Sequence, residues 1–124
     1  MTWILVIDDE AIFRESLGNI LVQAGFSVLE AKSGREGLEI VQSRRVNIVL
    51  CDVMMSELDG FAVLEKLRSD PRTSKIPFIF MTGSTGDDII HRGIERGADA
   101  VLLKPFVLPE LLSAIKAALA RHEK

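Results

Sequence analysis

Apolar runs short enough to be buried strands recur five times along the chain, at Trp3–Ile7, Ser27–Glu30, Val46–Cys51, Ile76–Met81 and Ala100–Leu103. The segments between them repeat their apolar residues at helical spacing. The first places Ile12, Phe13, Leu17, Ile20, Leu21 and Ala24 on one face and stops at Gly25, a residue that tolerates the left-handed conformation after a helix end. The second opens with Ser33-Gly34-Arg35-Glu36, a capping-box pattern in which the serine hydroxyl and the glutamate carboxylate take each other's backbone N–H groups, and it turns Leu38 and Val41 inward. The third follows Asp59 with Phe61, Leu64 and Leu67 and is stopped by Pro71. The fourth follows Thr85, turns Ile90 and Ile94 inward and ends at Gly97. The fifth runs from Pro109 through Leu112, Ile115 and Leu119.

Strand and helix thus alternate in units of about 25 residues, the pattern of an open parallel sheet with helices on both faces. A run such as Val46–Cys51 is apolar without alternation because both faces of a central strand are covered.

Composition narrows the class. The chain has 124 residues, 48% hydrophobic and 27% charged, with a net charge of −3, which predicts one globular domain over residues 1–124 with no effector domain, and excludes disorder. The single cysteine, Cys51, excludes a disulfide framework and a cysteine-built zinc site, and it reads as core packing. No apolar stretch reaches the roughly 20 residues that span a bilayer, and Met1-Thr2-Trp3-Ile4-Leu5 lacks the basic flank of a signal peptide, so a cytoplasmic location with no membrane contact is expected. Arg44-Arg45 is the one basic pair, read as a solvated helix end, and direct nucleic-acid binding is not expected. His91 and His122 lack metal-ligand spacing and are expected to face solvent.

The chemistry lies at the strand ends. Ligands of open α/β sheets bind beyond the carboxyl ends of the strands, at the point where the strand order reverses. There the chain places Asp8-Asp9-Glu10 after the first strand, Asp52 after the third, Thr82-Gly83-Ser84 after the fourth and Lys104-Pro105 after the fifth. With strand order 2-1-3-4-5, Asp8, Asp9 and Asp52 converge, and like charges so close call for a cation. An all-oxygen set favours Mg2+, whose remaining positions suit a phosphoryl group. With the Lys104 ammonium and the Thr82 hydroxyl, the set has the parts for phosphoryl transfer to a carboxylate.

Four motifs in order carry a resemblance over essentially the whole chain: Ile7-Asp8-Asp9-Glu10, Cys51-Asp52-Val53-Met54-Met55 followed by Leu58-Asp59-Gly60, Met81-Thr82-Gly83, and Lys104-Pro105-Phe106. Together they resemble the receiver domain of two-component response regulators, which implies a flavodoxin-like, doubly wound α/β fold. The resemblance implies that Asp52 is the phosphoacceptor, that Asp8, Asp9, Asp52 and the main-chain carbonyl of Met54 hold Mg2+, and that Thr82 and Lys104 contact the phosphoryl group and relay its presence. Pro105 would follow a cis peptide, and Ser84 would tune dephosphorylation. A sensor histidine kinase or a histidine phosphotransfer protein would donate the phosphoryl group, and a downstream effector protein or domain would read the changed surface. The implied self-association is a homodimer through the fourth helix, fifth strand and fifth helix. Beyond its own transfer and autodephosphorylation no enzymatic activity is implied.

The chain departs from the usual pattern at three positions. Ser56 stands where a proline is common, Val101 where an aromatic residue usually follows the threonine's rotamer, and Val107 where a polar residue would cap the fifth helix. Phe106, Val107 and Leu108 form an apolar cluster expected to meet a partner. The absent aromatic at Val101 leaves an alternative, a receiver-like interaction module that works without phosphorylation. A flavin protein on a related layout is disfavoured, because Asp8-Asp9-Glu10 has the wrong sign for an anion site.

Overall fold

The computed structural model describes residues 1–83 and 87–122. Along the chain run β1 (Trp3–Ile7), α1 (Ala11–Gln23), β2 (Ser27–Ala31), α2 (Gly34–Ser43), β3 (Ile48–Asp52), α3 (Gly60–Ser69), β4 (Phe78–Thr82), α4 (Asp87–Glu95), β5 (Ala100–Leu103) and α5 (Leu108–Arg121). The strands pair in parallel in the order β2-β1-β3-β4-β5 expected from the sequence.

The two-residue period of a strand divides the core between the two faces of the sheet. Leu5, Ile7, Val49, Cys51, Phe78 and Phe80 pack with Val41 of α2, with Phe61, Val63, Leu64 and Leu67 of α3 and with Ile89 of α4. Ile4, Val6, Ile48, Leu50, Ile79 and Met81 pack with Leu17 and Leu21 of α1 and Leu111, Ile115 and Ala118 of α5. Full burial of each large side chain contributes about 1.5–3 kcal/mol. The sheet is therefore held from both sides, and its carboxyl edge is a rigid base for whatever projects from it.

The strand ends differ from the pattern in a way that matters for the site. β3 begins at Ile48 because the Asn47 side chain already accepts the Trp3 N–H, at 2.7 Å. β4 begins at Phe78, after Pro77 has withheld an N–H. Both run one residue further than the apolar runs, so Asp52 and Thr82 are the last residues of their strands and take the rigidity of the ladder.

Two helices are rotated from their expected faces. On α1, Ile12 is 84% exposed and Ile20 42%, while Leu17, Gly18 and Leu21 are buried. On α4, Ile94 is exposed and Ile90 only half-buried, while Ile89 joins the core and Gly93 lies against the sheet. A Cβ on Gly93 would stand 3.0 Å from both Phe80 and Val101, so a larger residue there would push the helix away. On α5, Leu111 takes the deep position and Leu112 is half-buried.

The caps hold with one change. Ser33 Oγ accepts the Glu36 N–H at 3.1 Å, but Glu36 reaches back one residue further than a capping box and takes the Lys32 N–H at 2.8 Å. Asp59 caps α3 through the Ala62 N–H, and α3 ends at Ser69 before Pro71. Val107 precedes α5 with no side-chain cap, and Pro109 sits in the first turn, where a missing N–H costs nothing. Gly25 and Gly97 follow α1 and α4 with φ of 102° and 103°, the conformation their positions predict. The expected start of the fourth helix at Thr85 lies outside the described residues.

Candidate functional site

β1 lies between β2 and β3, and the chain leaves it on one side and returns on the other, so a crevice opens between the carboxyl ends of β1 and β3. Asp8 follows the last residue of β1 and Asp52 is the last residue of β3. With Asp9 they offer three carboxylate oxygens within 4.8 Å of one another. Asp8 is fully buried, Asp52 7% exposed and Asp9 exposed at the rim. Lys104 arrives from the end of β5, its Nζ 2.9 Å from Asp8 Oδ2 and 3.5 Å from Asp52 Oδ1.

Each group is fixed by a specific neighbour. Asp8 Oδ1 accepts the Glu10 N–H at 2.9 Å, and the Asp8 carbonyl accepts from the Arg14 guanidinium at 2.8 Å. The Lys104 N–H donates to the Thr82 carbonyl at 2.8 Å, which ties the lysine backbone to the end of β4. Gly60 begins α3 where a Cβ would stand 2.5 Å from the Asp52 carbonyl oxygen, so only glycine lets the helix start this close to the site. Thr82 is fully buried. The Lys104–Pro105 peptide is cis, as the motif implies.

Three carboxylates face one ammonium, and the charges show it. Burial pushes the Asp52 carboxyl up to about 6; Lys104 opposes the rise, and the negative charges of Asp8 and Asp9 add to it. Burial pulls the Lys104 ammonium down, but the Asp8 hydrogen bond and the charges of Asp52 and Asp8 outweigh it and leave the pKa above the ordinary lysine value. Cys51, buried beside Asp52, is pushed well above the ordinary thiol range by desolvation and then by the neighbouring aspartates, which makes it inert core packing.

This donor set fits a small hard divalent cation. It is all oxygen, its carboxylates outnumber its cations, and the rim carboxylate is open to solvent. A groove of about 410 Å³, lined by Ser33, Leu38, Ser56 and Leu58 among others, lies beside α2 and α3 and contains none of these carboxylates. The acidic cluster has the charge and the oxygen donors to hold a cation.

The other sequence-predicted residues distribute around it. Met54, two residues after Asp52, is 66% exposed. Val101 lies on β5 in register with Phe80 of β4, so a buried aromatic ring is present one strand away from the position where the motif lacks one. Phe106 packs inward, its ring 6.2 Å from that of Phe13 and edge-on, while Val107 and Leu108 are 65% and 40% exposed. Ser84 lies outside the described residues.

Sequence reasoning misses Phe13 as a site residue. The helical pattern places it in the core of α1, yet its ring centre lies 4.1 Å from Lys104 Nζ. The same reasoning misplaces His122. This residue does not face solvent: Nε2 donates to Asp99 Oδ1 at 2.9 Å, and its side chain is 27% exposed. Asp99 also accepts the Phe78 N–H and has Arg68 at 3.8 Å and Arg121 at 3.5 Å, a cluster at the opposite edge of the sheet. His91 is exposed, as expected.

A family model described as response regulator receiver domain matches residues 4–116. Among curated proteins, Response regulator MprA of Mycolicibacterium vanbaalenii is 42% identical over 120 residues, covering 95% of this chain and 50% of its own length. Phosphate regulon transcriptional regulatory protein PhoB of Pseudomonas aeruginosa is 35% identical over 118 residues, covering 95% and 52%. The chain spans about half the length of the curated relatives it matches. Among solved structures, a response regulator from Chloroflexus aurantiacus superposes with a TM-score of 0.92 at 32% identity, covering 97% of this chain and 98% of that one. Vibrio cholerae chemotaxis protein CheY4 superposes at 0.89 and 29% identity, covering 95% and 98%.

Proposed function

The chain belongs to the response regulator receiver domain family of two-component systems, and from that premise we propose that it accepts a phosphoryl group on Asp52 and thereby switches a partner-binding surface. The observation that carries the reading is the meeting of Asp8, Asp9 and Asp52 within 4.8 Å, with Lys104 between Asp8 and Asp52.

The donor is a phosphohistidine on a sensor histidine kinase or a histidine phosphotransfer protein. One Asp52 carboxylate oxygen attacks phosphorus, the new O–P bond forms as the P–N bond breaks, and the departing imidazole takes its proton from solvent. No general base is needed, since a carboxyl with a pKa of about 6 is mostly ionised at neutral pH. Lys104, 3.5 Å from Asp52 Oδ1, is within reach of an oxygen on a phosphoryl group carried there, and the Thr82 hydroxyl is the second donor. Asp8, Asp9, Asp52 and the Met54 carbonyl would hold Mg2+, which when bound supplies charge neutralisation for the carboxylates and the incoming phosphoryl oxygens.

The chemistry is confined to the protein's own aspartate, so this is a signalling receiver and not a turnover enzyme. Relatives named as transcriptional regulators suggest an effector domain as the reader of the modified surface. Among the described residues no helix is long and apolar enough to cross a membrane. We place the exchange with the kinase in the cytoplasm as part of this proposal. A module that worked without phosphorylation would leave the Asp8–Lys104–Asp52 cluster without a role.

Intact mass after incubation with acetyl phosphate and Mg2+ tests the proposal. Wild type gains one phosphoryl mass and Asp52→Asn gains none. An unmodified wild type that still binds Mg2+ would overturn it.

A further inference from the structure

Lys104 must reach a group on Asp52, yet a lysine side chain has a flexible four-carbon stem and loses considerable entropy when it is held in one place. Two of its ammonium directions are taken by Asp8 at 2.9 Å and Asp52 at 3.5 Å. The remaining side faces the ring of Phe13, whose centre is 4.1 Å from Nζ. An ammonium over an aromatic face is attracted by the negative face of the ring quadrupole, and more strongly where water is kept away. Here the Lys104 side chain is only 16% exposed. Phe106, two residues beyond Lys104, meets Phe13 with ring planes 86° apart, the arrangement in which one ring's positive edge meets the other's negative face. The ring that covers the lysine is thus itself held by the lysine's own loop.

We propose that Phe13 is the positioning residue for Lys104: its ring face, steadied by Phe106, fixes the ammonium between Asp8 and Asp52 so that a phosphoryl group on Asp52 meets a donor already in place. The functional half of this rests on Asp52 being the phosphoacceptor. The alternative role for Phe13 is hydrophobic filling. Phe13 is only half-buried at the margin of the core, where a leucine would fill the space equally well. A leucine has no quadrupole, so the two roles separate.

The test uses Phe13→Leu, Phe13→Tyr and a series with one to three fluorines on the Phe13 ring, which keeps the shape and weakens the face. The first readout needs no ligand: proton NMR of the Lys104 ε-methylene in the metal-free protein. We expect the ring-current upfield shift in wild type and Phe13→Tyr, and its loss in Phe13→Leu. The second is the affinity for beryllofluoride with Mg2+, expected to fall about threefold to tenfold in Phe13→Leu, to fall stepwise with fluorination and to hold within about twofold in Phe13→Tyr. Should Phe13→Leu fail to fold, the fluorinated series carries the test.

Unchanged Lys104 shifts in Phe13→Leu, or beryllofluoride affinity indifferent to fluorination, would overturn the positioning role. If wild type binds no beryllofluoride while the Lys104 shifts follow the ring as expected, the phosphoacceptor reading fails and the placement of the ammonium by Phe13 stands.

Discussion

The two edges of the sheet each bury an aspartate beside cations, and they balance the charge in opposite ways. At the carboxyl edge, Asp8 and Asp52 share the ammonium of Lys104, and Asp9 adds a third carboxylate beside them. At the amino edge, Asp99, with its side chain 4% exposed, has Arg68, Arg121 and His122 around it and accepts the Phe78 N–H at 2.9 Å. Arg68 extends the network with hydrogen bonds to the carbonyls of Ser74, Ile76 and Gly97. A carboxylate with surplus partners locks the elements it touches, here α3, β4, β5 and α5. Carboxylates with too few partners leave a deficit that a cation and a modification can fill. The same residue types therefore build a rivet at one end and a receptive site at the other.

The largest effect that sharpens this contrast is all-or-none. On the proposed function, Asp52→Asn should abolish phosphoryl acceptance, measured as intact mass, because no carboxylate remains to form the acyl phosphate. It also removes one of the crowded negative charges, so the metal-free melting temperature should rise by about 2–4 °C. Loss of chemistry with a gain of stability marks an under-compensated site, and a fall in melting temperature would contradict that description.

Asp99→Ala should do the reverse. It strips the half-buried Arg68 guanidinium of its carboxylate and leaves the Phe78 N–H without its side-chain acceptor. Burial already pulls Arg68 below the ordinary arginine pKa against the opposing influence of Asp99. Leaving a buried N–H unsatisfied costs about 1–3 kcal/mol, to which the lost Arg68 contact adds, read by chemical denaturation, while a folded Asp99→Ala should still gain phosphoryl mass.

How much of this contrast the sequence shows depends on the range of the interactions. The carboxyl edge is legible because parallel strands bring their ends together, so Asp8, Asp52, Thr82 and Lys104 need only the strand order to converge. The amino edge is not, because Arg68, Asp99 and His122 lie on separate elements and follow no local pattern. The misjudged helix faces have another cause. Ile12, Ile20 and Ile94 outscore glycine in any count of hydrophobic residues, yet Gly18 and Gly93 face inward because a helix without a Cβ there can approach the sheet. Phe13 lies on the expected helix, but its partner is the ammonium of a residue 91 positions away.

A smaller effect comes from pH. Because the folded pKa of Asp52 is about 6 against 3.8 for a free carboxyl, the fold binds this proton more tightly than the unfolded chain does. The metal-free protein therefore loses stability as pH rises from about 4 to about 6 and no more from this group above that. Mg2+ requires the ionised form, so the rise in melting temperature on adding Mg2+ should be full at about pH 7.5 and fade as pH falls through about 6. Thermal scans with Mg2+ and with chelator across this range measure it. A magnesium effect independent of pH would remove Asp52 from the metal set.

The smallest expected effect is at His122, and it bears on the surplus at the amino edge. His122 follows the last turn of α5 and holds Asp99 Oδ1 at 2.9 Å, which fastens the end of α5 to the start of β5. Asp99 keeps the Phe78 N–H and Arg68 when this bond is lost, and the imidazole is partly in water, so neither partner is stranded in a dry interior. His122→Ala should cost about 0.5–1.5 kcal/mol, the net worth of one hydrogen bond, and raise amide exchange in the last turn of α5 before anywhere else. If it cost as much as Asp99→Ala, the carboxylate would depend on the imidazole alone, and the amino edge would be as finely balanced as the carboxyl edge.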